Sequence, residues 1–364
     1  MLKIKGDFVV ESSLSKEQNL KKAIEKFDLS GMSGRLQDFP GQIRAFQHVQ
    51  ETPKLDLKRG TVKKIIFSGL GGSAICGDLI RDAFMDVLEV PIFVNRDYHL
   101  PAWSDKETLN ILISYSGNTE ETLSAYREVL AKGAPLTVIC SGGRLAELAK
   151  GDGTPGIKVP AGYPPRTALG YLFCSAVNIL MKGGILPPSS LSSELVKSVK
   201  LTAEAMDVRI HFGKNPARQL ASVLKGSVPV IYSANSLSAV ATRWKTQLEE
   251  NSKTLAFTGL MPEMNHNEVV GWKYPRILLK RLSVIFLRDR TEDPQIKKRF
   301  PITADLLQPR RFLVEVEGTS NNFLVRLFTL LIFGDWVSYY LALENQADPT
   351  PVDRITQLKK KLAE

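Results

Sequence analysis

Two kinds of apolar run alternate along this chain. Short runs rich in β-branched and aromatic residues stand at Ile65-Ile66-Phe67, 90–94, 109–113 and 136–140. Between and after them lie stretches with helical spacing at 73–85, 119–130 and 168–181. Largely apolar strands that alternate with helices predict a parallel sheet covered on both faces. The cluster Gly183-Gly184-Ile185-Leu186-Pro187-Pro188-Ser189-Ser190 then interrupts the pattern. A long helical stretch over 192–210 restarts it, and strands are predicted at 228–232, 283–287 and 312–316. The first of these leads through a turn at Ser233-Ala234-Asn235 into a helix ending near Glu250.

Two α/β units in tandem follow from this pattern, one over 61–185 and one over 186–364 with C-terminal helices. Residues 1–60 are polar, with Leu20, Ile24 and Phe27 at helical spacing, and are expected to form a helical lead-in packed on the first unit. The most apolar stretch, 323–343, contains Arg326 and Asp335. A membrane span of ~20 apolar residues rarely carries both signs of charge. A buried helix is expected there, and it is a candidate for a subunit interface.

Composition narrows the function classes. A length of 364 residues with 43% hydrophobic and 24% charged positions suits two ordinary folded domains. The formal charge of +10 is spread over scattered Lys and Arg, and even Lys359-Lys360-Lys361 closes an amphipathic segment. That distribution favours attraction of an anionic small molecule over nucleic-acid binding. Cys76, Cys140 and Cys174 lie far apart in apolar stretches, with neither disulfide nor metal-ligand spacing. They suggest reduced thiols and a reducing compartment. With Met1-Leu2-Lys3-Ile4-Lys5 showing no apolar signal region, a cytoplasmic protein that does not enter a membrane is expected.

Two motifs carry candidate chemistry. Gly69-Leu70-Gly71-Gly72-Ser73-Ala74 follows a strand and opens a helix. Its glycines let backbone approach a ligand, and the helix end offers N–H groups to an anion. The spacing also fits a dinucleotide fingerprint, but Asn95 and Arg96 stand where that fingerprint wants an acid. Ser114-Tyr115-Ser116-Gly117-Asn118-Thr119 follows the third strand and opens another helix. A helix cap needs one hydroxyl. Three hydroxyls with helix amides suit a phosphate cradle that needs neither Lys nor metal.

Together Gly71-Gly72-Ser73 and Ser114-x-Ser116-Gly-x-Thr119 resemble the sugar isomerase (SIS) domain. Further stretches make the chain similar to the bifunctional phosphoglucose/phosphomannose isomerase family from about residue 60 onward. They are Arg96-Asp97-Tyr98-x-Leu100-Pro101, Pro164-Pro165-Arg166, Gln247-x-x-Glu250-Asn251, Asn265-His266-Asn267-Glu268 and Asp348-Pro349-Thr350-Pro351. The resemblance implies two SIS-type subdomains, no cofactor, and a homodimer whose active site is shared across the interface. It implies phosphate binding by Gly71, Gly72, Ser73, Ser114, Ser116 and Thr119. Glu250 would then be the proton-shuttling base, and His266, contributed from the partner subunit, would open the sugar ring. Arg166 would steady the enediolate, since a guanidinium holds its proton. A C-terminal lysine assists ring opening in this family; Lys359 is the choice here, with Lys360 and Lys361 adjacent. Thr350 matches a threonine that leaves room for both C2 epimers. Glu249 departs from the family's Asn and is expected to face solvent. His48, His99 and His211 are expected to have no role in the chemistry.

Two other functions compete. A non-catalytic sugar-phosphate sensor would keep the Ser/Thr cradle and lose the base. The isomerase half of an amidotransferase would come with a glutaminase domain, and no N-terminal Cys nucleophile stands here.

Overall fold

The computed structural model describes residues 2–6, 14–46 and 60–362. The chain divides into two compact units, Asp38–Lys197, and Met1–Gln37 with Ser198–Glu364. It opens with β1 (Leu2–Gly6), α1 (Leu14–Phe27) and α2 (Met32–Phe46).

The Asp38–Lys197 unit is built on β2 (Lys64–Ser68), α3 (Ala74–Phe84), β3 (Ile92–Asn95), β4 (Thr108–Ile113) and α4 (Glu120–Lys132). Next come β5 (Leu136–Cys140), α5 (Gly143–Gly151), β6 (Gly156–Lys158) and α6 (Leu169–Lys182). The strands are all parallel, in the order β3-β2-β4-β5-β6. All six residues of β4 are buried, with Leu109, Ile111, Leu112 and Ile113 apolar, as suits a strand covered on both faces. Ile66, Leu112 and Val138 from the strands pack with Tyr126, Val129 and Leu145 from the helices. Because the chain passes from β3 over β2 to reach β4, the winding reverses between β2 and β4. In open α/β sheets, ligands bind in the crevice beyond the carboxyl ends of two such strands.

The other unit continues with α7 (Ser193–Ala205), α8 (Pro216–Leu224), β7 (Val228–Ala234), α9 (Ser238–Glu250) and β8 (Phe257–Met261). It is completed by α10 (Glu268–Gly271), α11 (Arg276–Leu279), β9 (Leu282–Asp289), α12 (Pro294–Leu306), β10 (Phe312–Gly318), α13 (Phe323–Glu344) and α14 (Asp353–Leu362). Its strand order is β1-β10-β9-β7-β8, parallel except for β1. Both sheets are therefore parallel-dominated and flanked by helices, the α/β class expected from the pattern.

The N-terminal lead-in differs from expectation. β1 pairs antiparallel with β10, placing Ile4 opposite Val316. Its alternation of Leu2 and Ile4 with lysines suits an edge strand wet on one face. α1 also joins this unit, through Glu17 to Arg218 at 3.0 Å. So the segment before Gln37 belongs to the unit of the second sheet, not the first.

The apolar helix α13 is long enough to cross a membrane, but its apolar window is fully buried inside the chain. Its two charges are matched there. Arg326 donates to Asp289 at 2.6 and 3.1 Å, and Asp335 accepts from Arg243 at 3.0 and 2.7 Å. This burial by the chain's own elements corrects the expectation of a place at a subunit interface. The three cysteines are buried and unpaired.

Candidate active site

β2 and β4 lie side by side in register, so the loops that follow them meet at the switch point. Glycines make the meeting possible. A Cβ on Gly69 would come 2.6 Å from the Ile113 carbonyl oxygen, and Gly71 turns the chain with φ +53°. Ser73 is buried, and its Oγ accepts from the Tyr115 amide at 3.3 Å. Ser114 Oγ stands 2.9 Å from Thr119 Oγ1 and accepts from the Gly117 amide at 3.1 Å. Ser116 is exposed, with the Asn118 amide donating to its Oγ at 3.3 Å.

Ser73 and Thr119 occupy the N-cap positions of α3 and α4, yet neither side chain caps its helix. The hydroxyls are thus turned to each other and to the loop amides, not spent on the helix ends. First-turn N–H groups without a side-chain cap are what a bound anion needs. Glu120 and Glu121 in the first turn of α4 act against an anion. Tyr98 donates to Glu120 at 3.3 Å.

Arg166 belongs to this cluster. It is buried in a single turn, Pro165–Thr167, and a Cβ on Gly72 would meet its Cα at 3.1 Å. Glycine there lets the first loop lie close against the arginine backbone, where any Cβ would be tightly packed. Tyr115, between the two serines, ties the same loop down. Its hydroxyl donates to the Pro160 carbonyl at 2.8 Å and accepts from the Tyr163 amide at 2.9 Å. The segment leading into Pro164-Pro165-Arg166 is thereby fixed to the cradle strand.

In the other unit, Glu250 is the last residue of α9 and is half-buried. α9 is clamped to α13 along its length. Arg243 pairs with Asp335, Trp244 donates to the Leu330 carbonyl at 2.9 Å, and Asn251 donates to Ser338 at 2.9 Å and to Gln247 at 3.1 Å. A Cβ on Gly334 would lie 2.3 Å from the Trp244 indole nitrogen, so the helices cross closely there. Gln247 and Asn251 of the sequence motif therefore hold the helix end, and Glu250 is what they present. Glu249 pairs with Lys245 at 2.8 Å, so its charge is partly met on the helix surface.

Lys253 brings Glu250 and Thr350 into one neighbourhood. Its ammonium donates to the backbone carbonyls of Glu250 and Pro351. Thr350 is half-buried, with its amide donating to Asp348 at 2.8 Å. Lys359 lies on α14, whose residues are all exposed. At 100° per residue, Lys359 falls on the face of Ile355, Leu358 and Leu362, while Lys360 and Lys361 point elsewhere.

His266 ends the turn Glu263–His266 after β8; it is exposed, with no hydrogen bond or ion pair among the described residues. α9 runs back along the sheet, so Glu250 sits near the start of β8 and His266 beyond its end. Five residues of strand separate them, roughly 17 Å at about 3.3 Å per residue. The fold of one chain keeps these two side chains at opposite ends of the strands. His99 bonds to Glu128 at 2.5 Å, and His211 lies 3.9 Å from Glu17. His48 lies outside the described residues.

Sequence reading missed Tyr115 as a strut and the segment Ser141-Gly142-Gly143 that backs the cradle. Ser141 Oγ donates to the Tyr115 carbonyl at 2.6 Å, and a Cβ on Gly117 would come 1.8 Å from the Gly142 oxygen. The signal was a Gly pair directly after a predicted strand. A groove of about 610 Å³ lies elsewhere, lined by α1, α8 and α13 residues such as Lys22, Arg218 and Tyr340. None of the candidate residues lines it.

Residues 61–150 match the SIS domain, and residues 213–362 match the bacterial phospho-glucose isomerase C-terminal SIS domain. The fold is similar to that of a hypothetical protein from Thermus thermophilus, with a TM-score of 0.71 at 16% identity, covering 96% of this chain and 94% of that one. The chain is 40% identical to a bifunctional phosphoglucose/phosphomannose isomerase from Caldicellulosiruptor bescii, over 90% of its own length and 97% of the relative's. It is 35% identical to one from Thermoplasma acidophilum, over 84% and 92% of the two lengths. With identity of this level across nearly the whole chain, and the cradle motif standing at the switch point of its first sheet, this protein belongs to the bifunctional phosphoglucose/phosphomannose isomerase family.

Proposed function

We propose that the protein interconverts glucose 6-phosphate and mannose 6-phosphate with fructose 6-phosphate, through a cis-enediolate and without a metal. The observation that carries this reading is the Ser114–Thr119 hydroxyl pair at the β2/β4 switch point, with neither hydroxyl used as a helix cap. Ser73, Ser114, Ser116 and Thr119 hold the phosphate, with Gly71 and Gly72 letting the backbone approach it. His266, assisted by Lys359, opens the ring. Glu250 removes the proton at C2 and returns it at C1, so one carboxylate alternates between base and acid. Arg166 stabilises the negative charge that develops on the enediolate oxygens without giving up a proton. Thr350, near the base, leaves space for either configuration at C2.

The protein acts in this reading as a homodimer in the cytoplasm. Glu250 and His266 stand at opposite ends of the strands of one sheet, so the histidine that serves a given Glu250 comes from a second copy. The segment after His266 suits such a contact. Val270, Tyr274 and Ile277 are each more than two-thirds exposed. Apolar side chains in series on a surface mark an interaction site.

The test is NMR of EDTA-treated protein with fructose 6-phosphate. Signals of both aldose phosphates are expected. Glucose 6-phosphate alone would remove the epimer claim, and binding without turnover would make the protein a sugar-phosphate sensor.

A further inference from the structure

The turn that carries His266 is held at both ends, and one anchor reaches into the core. On its N-terminal side Asn265 donates to Thr303 of α12 at 2.8 Å. Within the turn Asn267 donates to Glu263 at 2.6 Å, and its side-chain oxygen accepts from the Glu268 amide at 2.6 Å. On the C-terminal side the Glu268 carboxylate accepts from the hydroxyl of Tyr232 on β7. Tyr232 is fully buried, and its hydroxyl also accepts from the Trp272 indole at 3.1 Å. Burial, and then the Glu268 carboxylate, push the phenol well above its ordinary range, so it remains a proton donor. Gly259 on β8 makes room for the pair. A Cβ there would come 2.7 Å from the Tyr232 ring and 2.8 Å from Glu268 Oε2.

A surface carboxylate reaching a buried tyrosine past a glycine is a specific arrangement. For a solvated turn it would be superfluous. For a turn that must hold one exposed imidazole at a fixed place, it supplies what a loop lacks. We propose that Tyr232 and Glu268 are positioning residues for His266, the hydroxyl–carboxylate bond fixing the turn so that the imidazole meets the sugar held by a second copy. This rests on the reading of His266 given above. The bond needs an acceptor oxygen at Glu268, not a charge, so an amide serves as well.

The experiment is a set of variants assayed with fructose 6-phosphate. Tyr232→Phe and Glu268→Ala are each expected to lower kcat by about tenfold, with KM within about twofold, because positioning errors act on the transition state. Glu268→Gln is expected to keep kcat within about threefold, since its oxygen still accepts the tyrosine proton. In a His266→Ala background the Tyr232→Phe loss should shrink to under about twofold, as residues acting through one group are not additive. Glu268 is exposed, so its variants report even if Tyr232→Phe folds poorly. A Glu268→Ala protein with wild-type kcat, or an undiminished Tyr232→Phe loss in the His266→Ala background, overturns the proposal. If His266→Ala itself leaves kcat unchanged, the histidine reading falls first, and positioning with it.

Discussion

The cradle and the end of α9 reach a defined geometry by opposite routes. Ser114, Gly117 and Thr119 are held by partners within six residues of themselves, 2.9 and 3.1 Å away, at the end of a strand buried along its whole length. Glu250 stands at the end of a helix that is itself placed by distant contacts. It is held through Arg243, Trp244 and Asn251, whose partners Asp335, Leu330 and Ser338 lie about ninety residues further along the chain. A phosphate cradle can be written in one short motif because backbone amides and hydroxyls at one turn suffice. A carboxylate at a helix end must be aimed by the helix, and the helix by whatever it packs on.

The largest effect that sharpens this contrast falls far from any substrate. Asp335→Leu removes the buried carboxylate that Arg243 pairs with inside the unit. Breaking one side of a buried pair costs about 3–5 kcal/mol. Thermal unfolding should register that loss, and kcat should fall in the protein that remains folded, since the aim of α9 is disturbed. A stability within about 1 kcal/mol of wild type, far below that cost, would mean that α13 does not hold Glu250 in place.

The cradle should respond in KM instead. Ser114→Ala with Thr119→Val removes two neutral hydroxyls, each contributing about 1 kcal/mol. KM for fructose 6-phosphate is expected to rise roughly thirtyfold, with kcat within about threefold and unfolding little changed. A kcat loss without a KM change would place these hydroxyls in the chemistry and dissolve the distinction between the two regions.

A smaller effect concerns the loop after β3. Glu128 on α4 accepts from the Leu100 amide at 2.9 Å and from His99. The Leu100 amide, then His99, hold the Glu128 carboxyl below its ordinary range, and Glu128 raises His99 in turn. The carboxylate's contribution is present above its unfolded pKa and lost as pH falls through the lower folded one. The imidazolium's contribution is present below its unfolded pKa and lost as pH rises through the higher folded one. The tie is therefore strongest between the carboxylate and imidazole ranges. Glu128→Gln should flatten the pH dependence of stability at both edges of that window. Parallel curves for variant and wild type would show that this tie carries nothing.

What the sequence revealed follows the same division. Period and breakers exposed the parallel sheets, and glycines and hydroxyls after two strands marked the two loops that meet at the switch point. β1 and β8 escaped because one is a five-residue edge strand and the other has Gly259 at its centre. That glycine weakens the strand signal, and only the fold shows that Tyr232 and Glu268 require it. Arg326 and Asp335 argued against a membrane span, but their partners Asp289 and Arg243 lie in other elements and had no local signature.

The most direct test of Glu250 as the single proton-shuttling base is exchange in D₂O. Fructose 6-phosphate is incubated with wild-type and Glu250→Gln protein, and deuterium entry at C1 of the ketose and C2 of both aldoses is followed by NMR. Loss of a positioned base removes about 10²- to 10⁴-fold of rate. The variant is expected to fold normally, bind fructose 6-phosphate, and lose exchange at both carbons by a factor in that range. Exchange within about threefold of wild type at either carbon would contradict the assignment.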